Sequence, residues 1–253
     1  MEDEKDLIFG AHSILECLKN ESRNNFELIA CDKIEDAKLK AYVHQKKLPV
    51  IQLSKLDFHK RIEKFLKELG GEFKRPPSGI ALFASKKPTE DISAIYSKIE
   101  SRMPVKVVCL DQITDLHNIG AISRTSCFYG VDYIVHSLKN GIPLTPTFYR
   151  IASGSTEHIQ FVYASSLTKF IEKLGVLQFP TLGLSESGDQ DLGKISLDFK
   201  KGYCLVLGSE DKGISNAVQR VLKNNLRLEP KGPIGTLNVS VAAAIALDRL
   251  NSN

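Results

Sequence analysis

From Val105 onward the chain repeats one pattern, a short and nearly continuous apolar run followed by a helical stretch. The runs are VKVVCL (105–110), DYIVH (132–136), FVYA (161–164), FPTLGL (179–184), YCLVLG (203–208) and NLRLEP (225–230). Helices are expected from Asn118, over 145–153, 166–177 and 214–224, and from about Asn238. Strands that are apolar on both faces need cover on both faces, and intervening helices supply it. The pattern therefore predicts an α/β fold built on a parallel sheet. Sheets of this kind take ligands at the carboxyl ends of their strands, so the loops there are where chemistry is expected.

Upstream, from Gly10 to about Ala84, helices and strands also alternate, but on a smaller scale. Helices are expected over 12–19 and 34–47, and strands over 26–31, 48–53 and at IALFA (80–84). Phe58, Ile62, Phe65, Leu66 and Leu69 recur at one-face helical spacing, and Lys74-Arg-Pro-Pro-Ser-Gly ends that helix. The reading is a small α/β domain over 1–84 and a polar connection over 85–104 that holds one short helix with Ile92, Ile95, Tyr96 and Ile99. A larger α/β domain then covers 105–253. At 253 residues the chain is long enough for two such cores.

Composition excludes several classes. The longest apolar run, around Val241–Leu247, falls far short of the ~20 residues of a membrane-spanning helix, so no membrane partner is expected. The acidic opening Met-Glu-Asp-Glu-Lys-Asp is unlike a secretory or transit leader, which points to a cytoplasmic protein. Five scattered cysteines with no Cys-x-x-Cys spacing suggest buried reduced thiols and no metal site. The net charge of +4 is mild, but residues 1–88 carry 17 basic against 14 acidic side chains, and 89–253 carry 17 against 16. Within the first part, Lys55–Arg75 holds 7 basic and 4 acidic residues. That run is either a solvated helix face or a phosphate-contacting surface.

Nucleotide-binding G-x-G-x-x-G after the first strand of the larger domain, the P-loop and the G-x-S-x-G elbow are all absent. Three strand ends instead carry polar, glycine-containing loops. These are Asp111–Thr125 with Asn118, Gly120 and Arg124; Gly208–Ser215 with Glu210 and Gly213; and Lys231–Ser240 with Gly235, Thr236, Leu237 and Asn238. Singly, each has a structural explanation. Asn118 could cap a helix, Glu210 could favour a helix N-terminus, and Thr236, Asn238 and Ser240 could cap the last helix. Three such loops at one edge of one sheet favour a functional cleft. His117 reads as a solvated loop residue.

The succession N-x-G-x-x-x-R-T, G-x-E-x-x-G and L-N-V-S-V-A resembles the three motifs of the SpoU/TrmH family of RNA ribose 2′-O-methyltransferases in the SPOUT superfamily. The resemblance covers about 105–250. Residues 7–84, with Ile8-Phe9-Gly10-Ala-His-Ser-Ile-Leu-Glu16, are similar to the ribosomal-protein-like RNA-binding domain of many members. Arg150-Ile-Ala-Ser-Gly-Ser resembles a segment of the 23S rRNA guanosine methyltransferase branch.

The resemblance implies a deep trefoil knot, S-adenosylmethionine as methyl donor, an RNA substrate (a guanosine of 23S rRNA first, tRNA as the alternative) and a homodimer. It assigns cofactor contacts to Gly208, Leu228 and Leu237, with Gly183 nearby, and catalytic roles to Asn118, Arg124, Glu210 and Asn238. Arg124 is the family's proposed base. An arginine normally keeps its proton, with pKa above ~12, so phosphate binding or oxyanion stabilisation suits it at least as well. The sequence departs from the family at Thr236, where serine is usual, at Leu228-Glu229-Pro230, where Ile-Pro-Met is common, and at Pro77-Ser-Gly-Ile-Ala, where His-Gln-Gly-Val is familiar. A non-catalytic RNA-binding relative is the remaining alternative, and the intact Asn118, Arg124, Glu210 and Asn238 argue against it.

Overall fold

The computed structural model describes residues 5–24, 26–68, 78–137, 142, 144–195 and 199–252. In chain order these form β1 (Lys5–Phe9), α1 (Ala11–Lys19), β2 (Glu27–Ala30), α2 (Ala37–Gln45), β3 (Val50–Gln52), α3 (Lys55–Glu68), β4 (Ile80–Ser85) and α4 (Ile92–Glu100). There follow β5 (Val105–Asp111), α5 (Leu116–Phe128), β6 (Tyr133–His136), α6 (Pro146–Ala152), β7 (Gln160–Tyr163), α7 (Leu167–Val176), β8 (Thr181–Leu184) and β9 (Gln190–Asp191). The chain closes with β10 (Gly202–Gly208), α8 (Asn216–Gln219), β11 (Asn224–Arg227) and α9 (Val239–Asn251). The chain divides into two compact units, Met1–Pro88 with Leu144–Glu157, and Thr89–Pro143 with His158–Asn253.

The first unit is a four-stranded sheet in the order β1-β4-β2-β3, antiparallel except for the β2–β3 pair. Strand β1 is an element the sequence reading did not anticipate. Its short DLIF run forms an edge and owes its place to pairing with β4, a contact that local pattern cannot reveal. Phe58, Ile62 and Phe65 of α3 pack on one sheet face with Leu7, Phe9, Ile29 and Phe83. Leu69 and the predicted Lys74–Pro77 break lie outside the described residues. The other face carries α1 and α2 through Ile14, Leu18, Leu39 and Val43.

The unit also contains α6, some sixty residues beyond β4, which departs from a boundary drawn at 84. The reason is a buried polar cluster. Arg23, fully buried, donates to Asp6 at 2.6 Å and to Glu157 at 3.3 Å. The hydroxyl of Tyr149 donates to Asp6 at 2.7 Å, and Asn20 donates to Glu157 at 2.9 Å. A buried guanidinium needs partners of opposite charge, and Glu157 from the distant segment is one of only two here among the described residues. Tyr149 is fully buried in the same core.

The second unit holds a seven-stranded sheet in the order β7-β6-β5-β10-β8-β11-β9, and every pairing is parallel. Val107 and Cys109 face α4, α7 and α8 in one core, while their neighbours Val108 and Leu110 are equally buried on the opposite face. This two-sided burial is what the continuous apolar runs require. Helix α4, placed by the sequence in a linker, contributes Ile95 to this core and belongs to the second unit. The helix expected over 214–224 shortens to α8, since the chain must turn at Arg220–Lys223 to start β11, whose Asn224 pairs with Leu182. The five cysteines are all free. Cys17, Cys109 and Cys204 are buried as expected, whereas Cys31 and Cys127 are partly exposed. Among the described residues no helix is long and apolar enough to cross a membrane.

His136, at the carboxyl end of β6, is buried with Nδ1 unpartnered, and burial lowers its pKa to about 4. A histidine depressed in the folded state stabilises the fold above its unfolded value near 6.5. That contribution fades as pH falls from about 6.5 towards 4, by ~2–3 kcal/mol. Thermal melts should therefore lose stability across this interval, and His136→Phe should flatten the loss. An identical pH profile in the variant would contradict the assignment.

Candidate active site

Parallel pairing brings the carboxyl ends of β5, β10, β8 and β11 to one edge of the sheet, and the three polar loops emerge there. After β10 the chain makes a closed loop, with the Ser209 amide donating to the Gly213 carbonyl at 3.1 Å and the Gly213 amide returning to Ser209 at 2.8 Å. Gly213 adopts φ +63°, and a Cβ on Gly208 would lie 2.1 Å from the Gly213 carbonyl carbon. Both glycines are thus required by backbone geometry. The buried Asp111, paired with Gly208 across the β5–β10 ladder, accepts from the Ser215 amide at 2.7 Å and fastens the loop's far end. Sequence reasoning passed over Asp111, whose only signal was a carboxylate closing an apolar strand.

The loop carries Glu210 to the start of α9 and the first turn of α5. Its Oε1 accepts from Asn118 Nδ2 at 3.1 Å, from Asn238 Nδ2, and from the Val239 amide at 3.4 Å. Asn238 Nδ2 also donates to Asn118 Oδ1 at 3.1 Å. Asn238 Oδ1 accepts from the Ser240 amide at 2.9 Å, so Asn238 caps α9 and joins the cluster at once. Asn118 is not a cap. Asp115 takes that position on α5, accepting from the His117 amide at 2.9 Å, and this leaves the Asn118 amide free for Glu210. Arg124, six residues along α5, is exposed and has no hydrogen-bond or ion-pair partner among the described residues. Thr236 is likewise exposed.

Beside the cluster lies a cleft of about 1040 Å³, lined by Leu184, Gly208, Arg227, Leu228, Glu229 and Leu237 among others. A smaller recess of about 390 Å³ lies on Gln112, Thr114, Asn118 and Glu210. Gly208, Leu228 and Leu237 thus share one cavity, Asn118 and Glu210 share the other, and Glu210 belongs to both. Gly183 lies against Leu222 and Ile214 instead and is not among the cleft's lining residues.

Residues 106–248 match the model of the SpoU rRNA Methylase family. The chain belongs to that family. It is accordingly an RNA methyltransferase by family. It is 25% identical over 240 residues to the 23S rRNA (guanosine-2′-O-)-methyltransferase RlmB of Acinetobacter baylyi, covering 94% of each chain. It is 36% identical over 165 residues to the mitochondrial rRNA methyltransferase 1 of Saccharomyces cerevisiae, over 56% of this chain and 40% of that one. The fold matches that of the SpoU methyltransferase AviRb from Streptomyces viridochromogenes, solved with AdoMet, at TM-score 0.72 and 20% identity, over 99% and 90% of the two chains. A TrmH-family structure from Porphyromonas gingivalis gives the same TM-score at 19% identity, over 98% and 90%.

The walls of the large cleft combine aliphatic Leu184, Leu228 and Leu237 with charged Glu210, Arg227 and Glu229, and Gly208, which admits no Cβ, leaves the main chain open to close approach. Gly208→Ala should force the Ser209–Gly213 loop open. Amide hydrogen exchange at Ser209 and Gly213 should then accelerate at least tenfold, and unchanged protection would show the loop does not depend on this glycine.

Proposed function

We propose that the protein transfers the S-adenosylmethionine methyl group to the ribose 2′-hydroxyl of a guanosine in 23S rRNA, in the cytoplasm. One observation carries the reading, the alignment over nearly the whole of both chains with the Acinetobacter baylyi enzyme of that activity. On this reading Gly208, Leu228 and Leu237 hold the cofactor, which supplies an already activated sulfonium methyl when bound.

The chain's own residues must align the 2′-oxygen and ease loss of its proton. Alignment of reacting groups can contribute ~7–11 kcal/mol. Asn118, fixed by one oxygen of Glu210 and by Asn238, keeps one N–H and one lone pair for the ribose at the edge of the smaller recess, while Asn238, whose two N–H groups go to Glu210 and Asn118, holds it in place. Arg124 supplies a positive charge to the RNA phosphate and to the oxyanion that develops as the hydroxyl ionises. Its exposure and lack of a partner among the described residues suit a group that waits for an anion from outside its own subunit.

A homodimer belongs to the same reading. Helices α5 and α9 pack together and leave Phe128 and Val241 exposed, apolar area that a second copy would cover. The likeness to the family brings with it a C-terminal segment threaded as a trefoil knot. The first unit would be the ribosomal-protein-like RNA-capturing domain, in keeping with the basic excess in residues 1–88.

Purified protein with labelled S-adenosylmethionine should methylate 23S rRNA and yield 2′-O-methylguanosine on nucleoside analysis. Arg124→Ala should reduce turnover at least a hundredfold while calorimetry shows cofactor binding within threefold of wild type. Modification of tRNA alone would move the substrate, and full activity of the variant would remove Arg124 from the mechanism.

A further inference from the structure

Arg227 ends β11 and lies on the rim of the large cleft, together with Ser185, Glu186 and Ser187 of the loop after β8 and with Leu228 and Glu229. That loop crosses directly over β11 on its way to β9. Its ends are pinned by the Ser185 amide to Leu226 at 2.8 Å and the Asp189 amide to Asn225 at 3.1 Å. Between these pins Gly188 lies so close to the strand that a Cβ would sit 2.3 Å from the Leu226 carbonyl carbon. The guanidinium of Arg227 completes the attachment. Its Nη1 donates to the Gly188 carbonyl at 2.9 Å, and its Nε donates to Glu229 Oε2 at 2.9 Å.

One side chain thus bridges two loops that leave adjacent strands and flank the same cleft. Glu229, the acidic departure that stood out in the sequence, supplies the second anchor. Both side chains are about two-fifths exposed, and an ion pair of that exposure adds little to global stability. The consequence of the bridge is therefore local. It fixes the separation of the two rims, and the planar guanidinium suits it because two of its nitrogens can donate in fixed directions at once.

We infer that Arg227 is a positioning residue for cofactor binding, acting by clasping the 185–189 loop to the Leu228–Pro230 segment. The inference rests on the reading of the large cleft as the S-adenosylmethionine site. Loss of the clasp should loosen the cleft without touching the groups that act on the ribose, so its signature is a change in affinity and not in turnover.

Isothermal titration of the full chain with S-adenosylmethionine tests this. Arg227→Met keeps the apolar stem and removes both donors. It should raise Kd about tenfold, equivalent to about 1.4 kcal/mol, with kcat at saturating cofactor within twofold of wild type. Arg227→Lys should recover less than half of the loss on a logarithmic scale, since one ammonium cannot hold both acceptors in the same geometry. Glu229→Ala, which leaves the Gly188 bond, should raise Kd about threefold and provides the same reading if Arg227→Met does not fold. Unchanged affinity in the folded variants, or a fall in kcat at unchanged Kd, would overturn the clasp. Wild-type protein that binds no S-adenosylmethionine would overturn the cofactor assignment itself, a result distinguishable from failure of the clasp alone.

Discussion

A single carboxylate oxygen organises the active edge of this protein. Glu210 Oε1 accepts hydrogen bonds from Asn118, Asn238 and the Val239 amide, which belong to two different helices. The loop that carries Glu210 comes from a third element, β10, so three distant parts of the chain meet at one atom. Hydrogen bonds to an ionised acceptor are the stronger kind, and an acceptor shared by three donors resists the loss of any one. The start of α9 adds the favourable end of a helix dipole to the same carboxylate.

Everything that brings Glu210 there follows from the parallel sheet. Parallel strands put all their carboxyl ends on one edge, and the adjacency of β5, β10, β8 and β11 sets the three loops side by side. Gly208 lets the Ser209–Gly213 loop fold back against its own strand, and Asp111 holds its exit. The structural and functional explanations of these residues turn out to be compatible. Asn238 caps a helix and also orients a neighbour's amide, and Glu210 sits at a helix N-terminus while gathering two side chains.

Much of this was legible in the sequence because the signals are local. Apolar runs marked the sheet, and the G-x-E-x-x-G and L-N-V-S motifs marked their loops, since a tight turn needs its glycines and a helix start its cap, whereas the N-x-G of the first motif lies inside α5. What escaped depends on contacts between distant segments. Glu157 reveals its attachment to Arg23 only once both are buried together, so the membership of α6 in the first unit could not be read from residues 144–157. Strand β1 was hidden for a similar reason, and Asp111 and Arg227 looked like ordinary strand ends. The shortening of α8 reflects the demand of β11 for its register beside β8, which overrides local helical periodicity.

On this reading Asn118, Glu210 and Asn238 work as one unit held by Glu210. A double-mutant cycle on methyl transfer to rRNA, using Asn118→Ala, Glu210→Ala and the pair together, tests it most directly. Strong non-additivity is expected, with the double variant losing no more than about threefold beyond the worse single variant. Multiplying losses would mean that Asn118 and Glu210 act independently and that no such unit exists.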